Sequence, residues 1–163
     1  MPITPIVTAP RDGDVLQFSP TELLTWKATL ATTGSFDQLT LTAQPGHAGA
    51  PEHVHSGVEE CFFVLDGAFR FKVADSIVVA ESGTFLFVPR GTAHTWTNAL
   101  DVASTMLLTF VPGGMEGFFR EAAPLMHADP PDIEALTAVN ARYATTVVGP
   151  PLAAGPLTHP TPS

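Results

Sequence analysis

Four polar side chains in two separate stretches of the chain are of the types that bind transition metals. His53 and His55 lie two positions apart in the first stretch, Glu60 follows them, and His94 belongs to the second. On a β-strand, residues at this spacing point to the same face, so the two imidazoles can converge on one ion. Imidazole and carboxylate suit iron, manganese, nickel, cobalt, copper or zinc, and the residue types do not select among them. For each histidine taken alone, an ordinary surface or core position is the alternative.

The surrounding sequence predicts short β-strands that would position these side chains. The segment AFRFKV alternates apolar and polar residues, and SIVVAESG, TFLFVPRG and HTWTN follow it at a spacing of roughly ten residues. Glycine and proline stand between the runs, a pattern typical of an all-β sandwich or barrel. Asp66-Gly67, at the end of the run ECFFVLDG, is a hairpin signal.

The strand that contains Glu60 has two apolar faces. Alternation places Glu60 with Phe62 and Val64 on one face, and Glu59 with Cys61 on the other. Because both faces carry apolar residues, the pattern does not say which one points inward. Glu60 is the better candidate ligand, and Glu59 is interpreted as a surface charge.

Composition excludes some classes of function. The net charge of −9, from 7 basic and 16 acidic residues, repels phosphate backbones and argues against nucleic-acid binding. No apolar run is long enough to cross a membrane, and the N-terminal residues lack the features of a signal peptide. The single cysteine, Cys61, cannot form an internal disulfide, which suits a cytoplasmic location. Only 14% of residues are charged, a proportion that favours subunit association.

The two histidine-containing stretches resemble the two sequence motifs of the cupin superfamily. The residues that match the first motif are His53, His55, Glu60 and Gly67. Those that match the second motif, at every fixed position, are Gly83, Pro89, Gly91, His94 and Asn98. One departure is His47, which stands where the first motif has glycine. The segments LLTFVPGGMEGFFREAA and ARYATTVVGPP resemble small bacterial single-domain cupins, which are often grouped as quercetin dioxygenase-like.

This resemblance implies an all-β fold, the cupin double-stranded β-helix or jelly-roll barrel, with a short C-terminal helical segment. The expected organisation is N-terminal strands packing on the barrel (1–35), a barrel core with both motifs (36–112), a helical segment (113–149) and a flexible tail (150–163). Within the helical segment, Asp132 is the predicted N-cap of a helix.

The resemblance also implies a site. His53, His55, His94 and Glu60 would bind one divalent transition metal, and Glu60 would in addition accept a proton during catalysis. Phe62 and Trp96 share strand faces with Glu60 and His94, so they are candidates for lining a cavity, with core packing as the alternative. The three histidines outside the motifs are expected to be exposed to solvent; these are His47, His127 and His159.

The leading hypothesis for function is a metal-dependent dioxygenase that acts with dioxygen on a small enolic or phenolic, flavonol-like substrate. One alternative is a redox-neutral isomerase, cyclase or lyase that uses the same metal. The other is a non-catalytic cupin that binds a small molecule. The family tendency and the weakly charged surface favour a homodimer.

Overall fold

The computed structural model describes residues 4–154, which form two antiparallel β-sheets and three helices. The strands of this part of the chain are β1 (Asp14–Ser19), β2 (Glu22–Ala28), β3 (Asp37–Ala43), β4 (His53–His55), β5 (Glu59–Asp66), β6 (Ala68–Val73), β7 (Ser76–Glu81), β8 (Phe85–Val88), β9 (His94–Asn98), β10 (Ser104–Val111) and β11 (Thr145–Val147). The helices are α1 (Leu30–Thr33), α2 (Met115–Met126) and α3 (Ile133–Arg142).

The strands are shared between the sheets in the manner of a jelly roll. One sheet has six strands in the order β1-β2-β3-β10-β5-β8, and the other has five in the order β11-β4-β9-β6-β7. Consecutive strands of the chain repeatedly lie in opposite sheets, so the two motifs are brought together although they are distant in sequence. The predicted all-β class with a short C-terminal helical segment is confirmed.

The core lies between the two sheets and follows the alternation of the strands. In β3, Leu39 and Leu41 are fully buried, and the register places Leu108 of β10 beside Leu39 on one side and Phe62 of β5 on the other. Phe62 and Phe71, from opposite sheets, meet edge to face at 5.0 Å. Burying side chains of this size contributes about 1.5–3 kcal/mol each, so this layer is a major source of stability.

The predicted hairpin at Asp66-Gly67 is wrong. β5 pairs with β10 and β8 in one sheet, whereas β6 pairs with β7 and β9 in the other, so the turn carries the chain between sheets. Gly67 has φ +77°, and a Cβ there would overlap the Ser104 hydroxyl. The local turn chemistry is as expected for Asp-Gly, but the partner of each strand is set by distant parts of the chain.

The C-terminal segment covers one end of the barrel. Phe119 of α2 packs edge to face against Phe18 and Trp26, at centroid distances of 5.2 and 5.8 Å. Asp132 caps α3 as predicted, since its side chain accepts a hydrogen bond from the Ala135 amide at 2.9 Å. β11 lies inside the region for which only helix was predicted, and it extends the five-stranded sheet beside β4.

The helices of the described residues are all too short or too polar to cross a membrane. The predicted flexible tail falls mostly on residues 155–163, outside the described residues.

Candidate metal centre

The structure brings four predicted site residues together as a compact group, here called the His–Glu cluster. β4 carries His53 and His55, β5 carries Glu60, and β9 carries His94. His53 is the register partner of His94 in the five-stranded sheet, and Glu60 reaches them from the opposite sheet. Their donor atoms all lie within 4.8 Å of one another, an arrangement that could hold a metal ion.

Each imidazole of the cluster is oriented by a hydrogen bond at its outer nitrogen. His53 Nδ1–H donates to the Pro51 carbonyl at 2.8 Å, and His94 Nδ1–H donates to the Thr92 carbonyl at 3.0 Å. His55 Nδ1 lies 2.9 Å from Thr145 Oγ1 of β11. These contacts fix the rings so that the Nε2 atoms face inward, as in proteins where histidine binds a metal.

The inward-facing atoms need positive charge among them. His53 Nε2 lies 3.2 Å from His55 Nε2, and His94 Nε2 lies 3.0 Å from Glu60 Oε2. Nitrogen lone pairs and carboxylate oxygens at such distances repel unless a proton or a cation lies between them. Donors at ~2.0–2.2 Å from one ion, in neighbouring positions, lie about 3 Å apart. The donor set could therefore hold a single first-row divalent cation.

The protonation states suit a metal. Burial, together with His94 and His55, lowers the pKa of His53 to about 4, so His53 is neutral at neutral pH. Burial acts to raise the pKa of Glu60, but hydrogen bonds from His55 and His94 outweigh it and hold that pKa below its usual range. Burial acts to lower the pKa of His94, and the hydrogen bond to Glu60 raises it overall. A neutral imidazole and an ionised carboxylate are the forms that bind metal, and binding would release the proton that His94 shares with Glu60.

A cavity of about 430 Å³ extends from the cluster under the C-terminal helices. Its walls are mostly apolar and include Phe110 of β10 and Phe118 and Met126 of α2. Trp96 lines this cavity, as expected for one of the two candidates. Phe62 is not among the described residues that line it and instead lies in the core, with its ring against those of Phe71 and His94. The reason is that Phe62 occupies the next inward position of β5 beyond Glu60, below the layer of the ligands.

Sequence reasoning missed a second polar group in the cavity, here called the Glu22–His47 pair. His47 was expected to be exposed, but its side chain is buried, with 7% of its surface accessible. It is covered because Trp96 and the start of β2 pack against it, from regions of the chain distant in sequence. The one available signal was that a histidine stands where the first motif has glycine.

The remaining histidines and Asn98 lie outside the cluster. His127 is exposed and His159 lies outside the described residues. Asn98, the last residue of the second motif, is structural: its Nδ2 donates to the carbonyls of Ala43, Gln44 and Val102, and its Oδ1 accepts from Ser104.

Comparison with known families agrees with this architecture. The Cupin_2 family, described as a cupin domain, matches residues 39–111, a span that includes both motifs. No curated protein matches the chain.

Among solved structures, the chain is similar to KdgF from Halomonas sp., with a TM-score of 0.62, 20% identity, and coverage of 70% of this chain and 99% of that one. It is also similar to a predicted oxalate decarboxylase from Thermotoga maritima (TM-score 0.60, 16% identity, 66% of this chain and 99% of that one). A third is an RmlC-like cupin from Shewanella frigidimarina (TM-score 0.59, 15% identity, 70% and 96%). At these identities the likeness is one of fold. The domain match and the neighbours agree that residues 39–111 are similar to a cupin domain and that the chain shares its fold.

Proposed function

We propose that the protein is a metal-dependent dioxygenase that acts on a small enolic or phenolic substrate. The observation that carries this proposal is the position of the His–Glu cluster at one wall of a mostly apolar cavity of about 430 Å³. Cavities of this size and character bind small organic molecules. Four protein ligands would leave about two positions open on an octahedral ion, as reactive rather than purely structural sites require.

Each part of the site has a distinct role. When bound, the ion would supply Lewis-acid stabilisation of a substrate oxyanion. His53, His55 and His94 would hold the ion, and their outer hydrogen bonds fix the rings. The Glu60 carboxylate accepts the proton of the substrate hydroxyl. The apolar walls keep water away from the activated substrate. Dioxygen is the oxidant and both its atoms enter the product, so no additional reductant is required.

Glu60→Gln tests the role of the carboxylate. We expect turnover to fall by about 10²–10⁴-fold, because an amide cannot accept the proton, while metal content falls much less. Glu59→Gln is the matched control, since Glu59 is the adjacent carboxylate on the outer face of β5 and pairs with Arg90 at 3.5 Å. Metal content is measured by elemental analysis and turnover by oxygen uptake with a panel of flavonols. Full activity in Glu60→Gln would refute this role.

Redox-neutral chemistry at the same cluster is a second candidate, because one structural neighbour bears the name of an oxalate decarboxylase. It predicts turnover under anaerobic conditions. A binding protein without catalysis would instead show a ligand-dependent rise in unfolding temperature with no product.

We further propose a homodimer and no nucleic-acid partner. The charge of −9 supports the second statement. An exposed apolar area on β5 and β8 supports the first; it includes Phe63, Leu65, Phe85 and Phe87.

A further inference from the structure

We propose that the Glu22–His47 pair is a second polar subsite of the cavity, which hydrogen-bonds a hydroxyl group on the arm of the substrate remote from the metal cluster. The inference rests on the proposed function in that it assumes a small substrate in this cavity.

The pair is held rigidly by its surroundings. Glu22 begins β2 on its inward face, and His47 lies between β3 and β4. His47 Nδ1 is 2.7 Å from Thr21 Oγ1, and the Thr97 hydroxyl donates to the His47 carbonyl at 2.6 Å. The imidazole lies against the Trp96 ring at a centroid distance of 5.1 Å. Both side chains line the same cavity as His53, His55 and Glu60 of the His–Glu cluster.

The pair has hydrogen-bonding capacity that the described residues leave unused. Glu22 Oε2 lies 3.4 Å from His47 Nε2, but His47 Nε2 has no hydrogen-bond partner among residues 4–154. A buried polar atom without a partner is costly, and native structures rarely keep one without a reason. A bound ligand group that reaches both atoms would supply the missing partner.

The protonation of the pair selects the kind of group. Burial raises the pKa of Glu22 to about 8, so at neutral pH it is a carboxylic acid that can donate. Burial lowers the pKa of His47 to about 4, so its ring is neutral, and with Nδ1–H donating to Thr21 the Nε2 atom accepts. A hydroxyl both accepts and donates one hydrogen bond, and therefore complements this pair. An anionic group would lose its hydration in the apolar cavity with no cation nearby in the pair.

The position of the pair sets the length of the substrate. His94 and Trp96 are two residues apart on β9, which separates them by about 7 Å. The Asn98 amide donates to the His47 carbonyl, so His47 lies beside the end of β9 opposite to His94. The subsite is therefore roughly 10 Å from the cluster. A molecule of two or three aromatic rings spans this distance, with a metal-binding oxygen at one end and a hydroxyl at the other. The indole of Trp96 offers it a flat surface between the two ends.

Binding of two flavonols under anaerobic conditions to the metal-loaded protein tests this subsite. Quercetin carries hydroxyls on its distal rings, and 3-hydroxyflavone carries only the metal-binding pair of oxygens. In Glu22→Leu and His47→Phe we expect quercetin to bind about three- to tenfold more weakly, and 3-hydroxyflavone to bind unchanged. Glu22→Gln, whose amide still donates, should retain most of the affinity. Glu59→Leu, outside the cavity, is the control.

Infrared spectroscopy tests the subsite without any substrate. The wild-type protein at neutral pH should show the C=O stretching band of a buried protonated carboxyl group, and Glu22→Gln should lack it. Absence of this band in the wild type overturns the assignment of Glu22 as a donor, even where Glu22→Leu fails to fold.

The outcomes separate this inference from the proposed function. Weaker quercetin binding in the variants, with no oxygen uptake by the wild type, supports the subsite and rejects the dioxygenase. Oxygen uptake with the same quercetin to 3-hydroxyflavone affinity ratio in every variant rejects the subsite and keeps the dioxygenase. Failure of both flavonols to bind rejects both.

Discussion

Glu22→Gln removes the titratable carboxyl group of Glu22 and keeps the shape and hydrogen-bonding ability of the side chain. In the folded protein burial raises the pKa of Glu22 from 4.5 to about 8. The folded state therefore holds this proton more tightly than the unfolded state. The resulting stabilisation is fully present below pH 4.5 and is lost as the pH rises to about 8.

The size of the effect follows from the two pKa values. At ~1.36 kcal/mol per pH unit, the full loss for the wild type is roughly 5 kcal/mol. Over a practical range, from about pH 5.5 to about pH 8.5, the loss is roughly 3 kcal/mol. Glutamine does not titrate. The free energy of unfolding of Glu22→Gln minus that of the wild type should therefore increase by roughly 3 kcal/mol between about pH 5.5 and about pH 8.5. The titratable group that faces Glu22 is His47, which is neutral throughout this range because burial lowers its pKa to about 4.

Urea denaturation at the two pH values measures this difference. Both proteins are kept metal-free with a chelator, so that metal binding does not contribute to stability. Glu59→Gln serves as the control, because Glu59 is partly exposed and lies outside the cavity. Parallel pH profiles for the wild type and Glu22→Gln would show that Glu22 is ionised in the folded protein, and the reasoning would fail.

Three further predictions concern the metal ligands, a close backbone contact and the quaternary state. Thr145→Val removes the hydroxyl that orients His55. We expect metal affinity to fall by about tenfold or more in competitive chelator titrations. Equal affinity in the two proteins would contradict the role of Thr145 in orienting His55. At Gly49, where φ is +68°, an added Cβ would overlap the Trp96 carbonyl. We therefore expect Gly49→Ala to lower the free energy of unfolding by at least about 1–2 kcal/mol. An unchanged denaturation midpoint would contradict this. Phe85→Glu replaces a phenyl ring that is 62% exposed at the edge of a sheet with a charged side chain. Light scattering should then show the proposed dimer converted to monomer. A monomeric wild type would refute the dimer.

Much of the fold and of the candidate site was predictable because the signals are local. The alternation of β5 placed Glu60 with Phe62 and Val64, and all three are buried, while Glu59 lies on the outer face. The side-chain period of a strand is a property of the backbone, so it survives whatever packs around it. Likewise, a polar residue before a helical pattern is enough to predict the cap at Asp132.

The strand partners were not predictable, because they depend on contacts between distant residues. Both faces of β5 are apolar, and only the opposing sheet shows that the face of Glu60 points inward. The Asp66-Gly67 turn has the chemistry of a hairpin but joins two sheets. β11 is too short to be recognised from its own residues, and its pairing with β4 is what brings Thr145 to His55.

The resemblance of two stretches to the cupin motifs was sufficient to indicate four side chains that could bind a metal, because motif spacing is read along the chain. The burial of a given polar side chain cannot be read along the chain in this way, because it depends on everything that packs over that side chain. His47 is the clearest case: nothing in its neighbours along the chain predicts a buried ring, and Trp96 and Glu22 close over it only in the folded protein. The cavity, its second polar group and the protonation of that group therefore exist only at the level of the tertiary structure, where desolvation shifts each pKa.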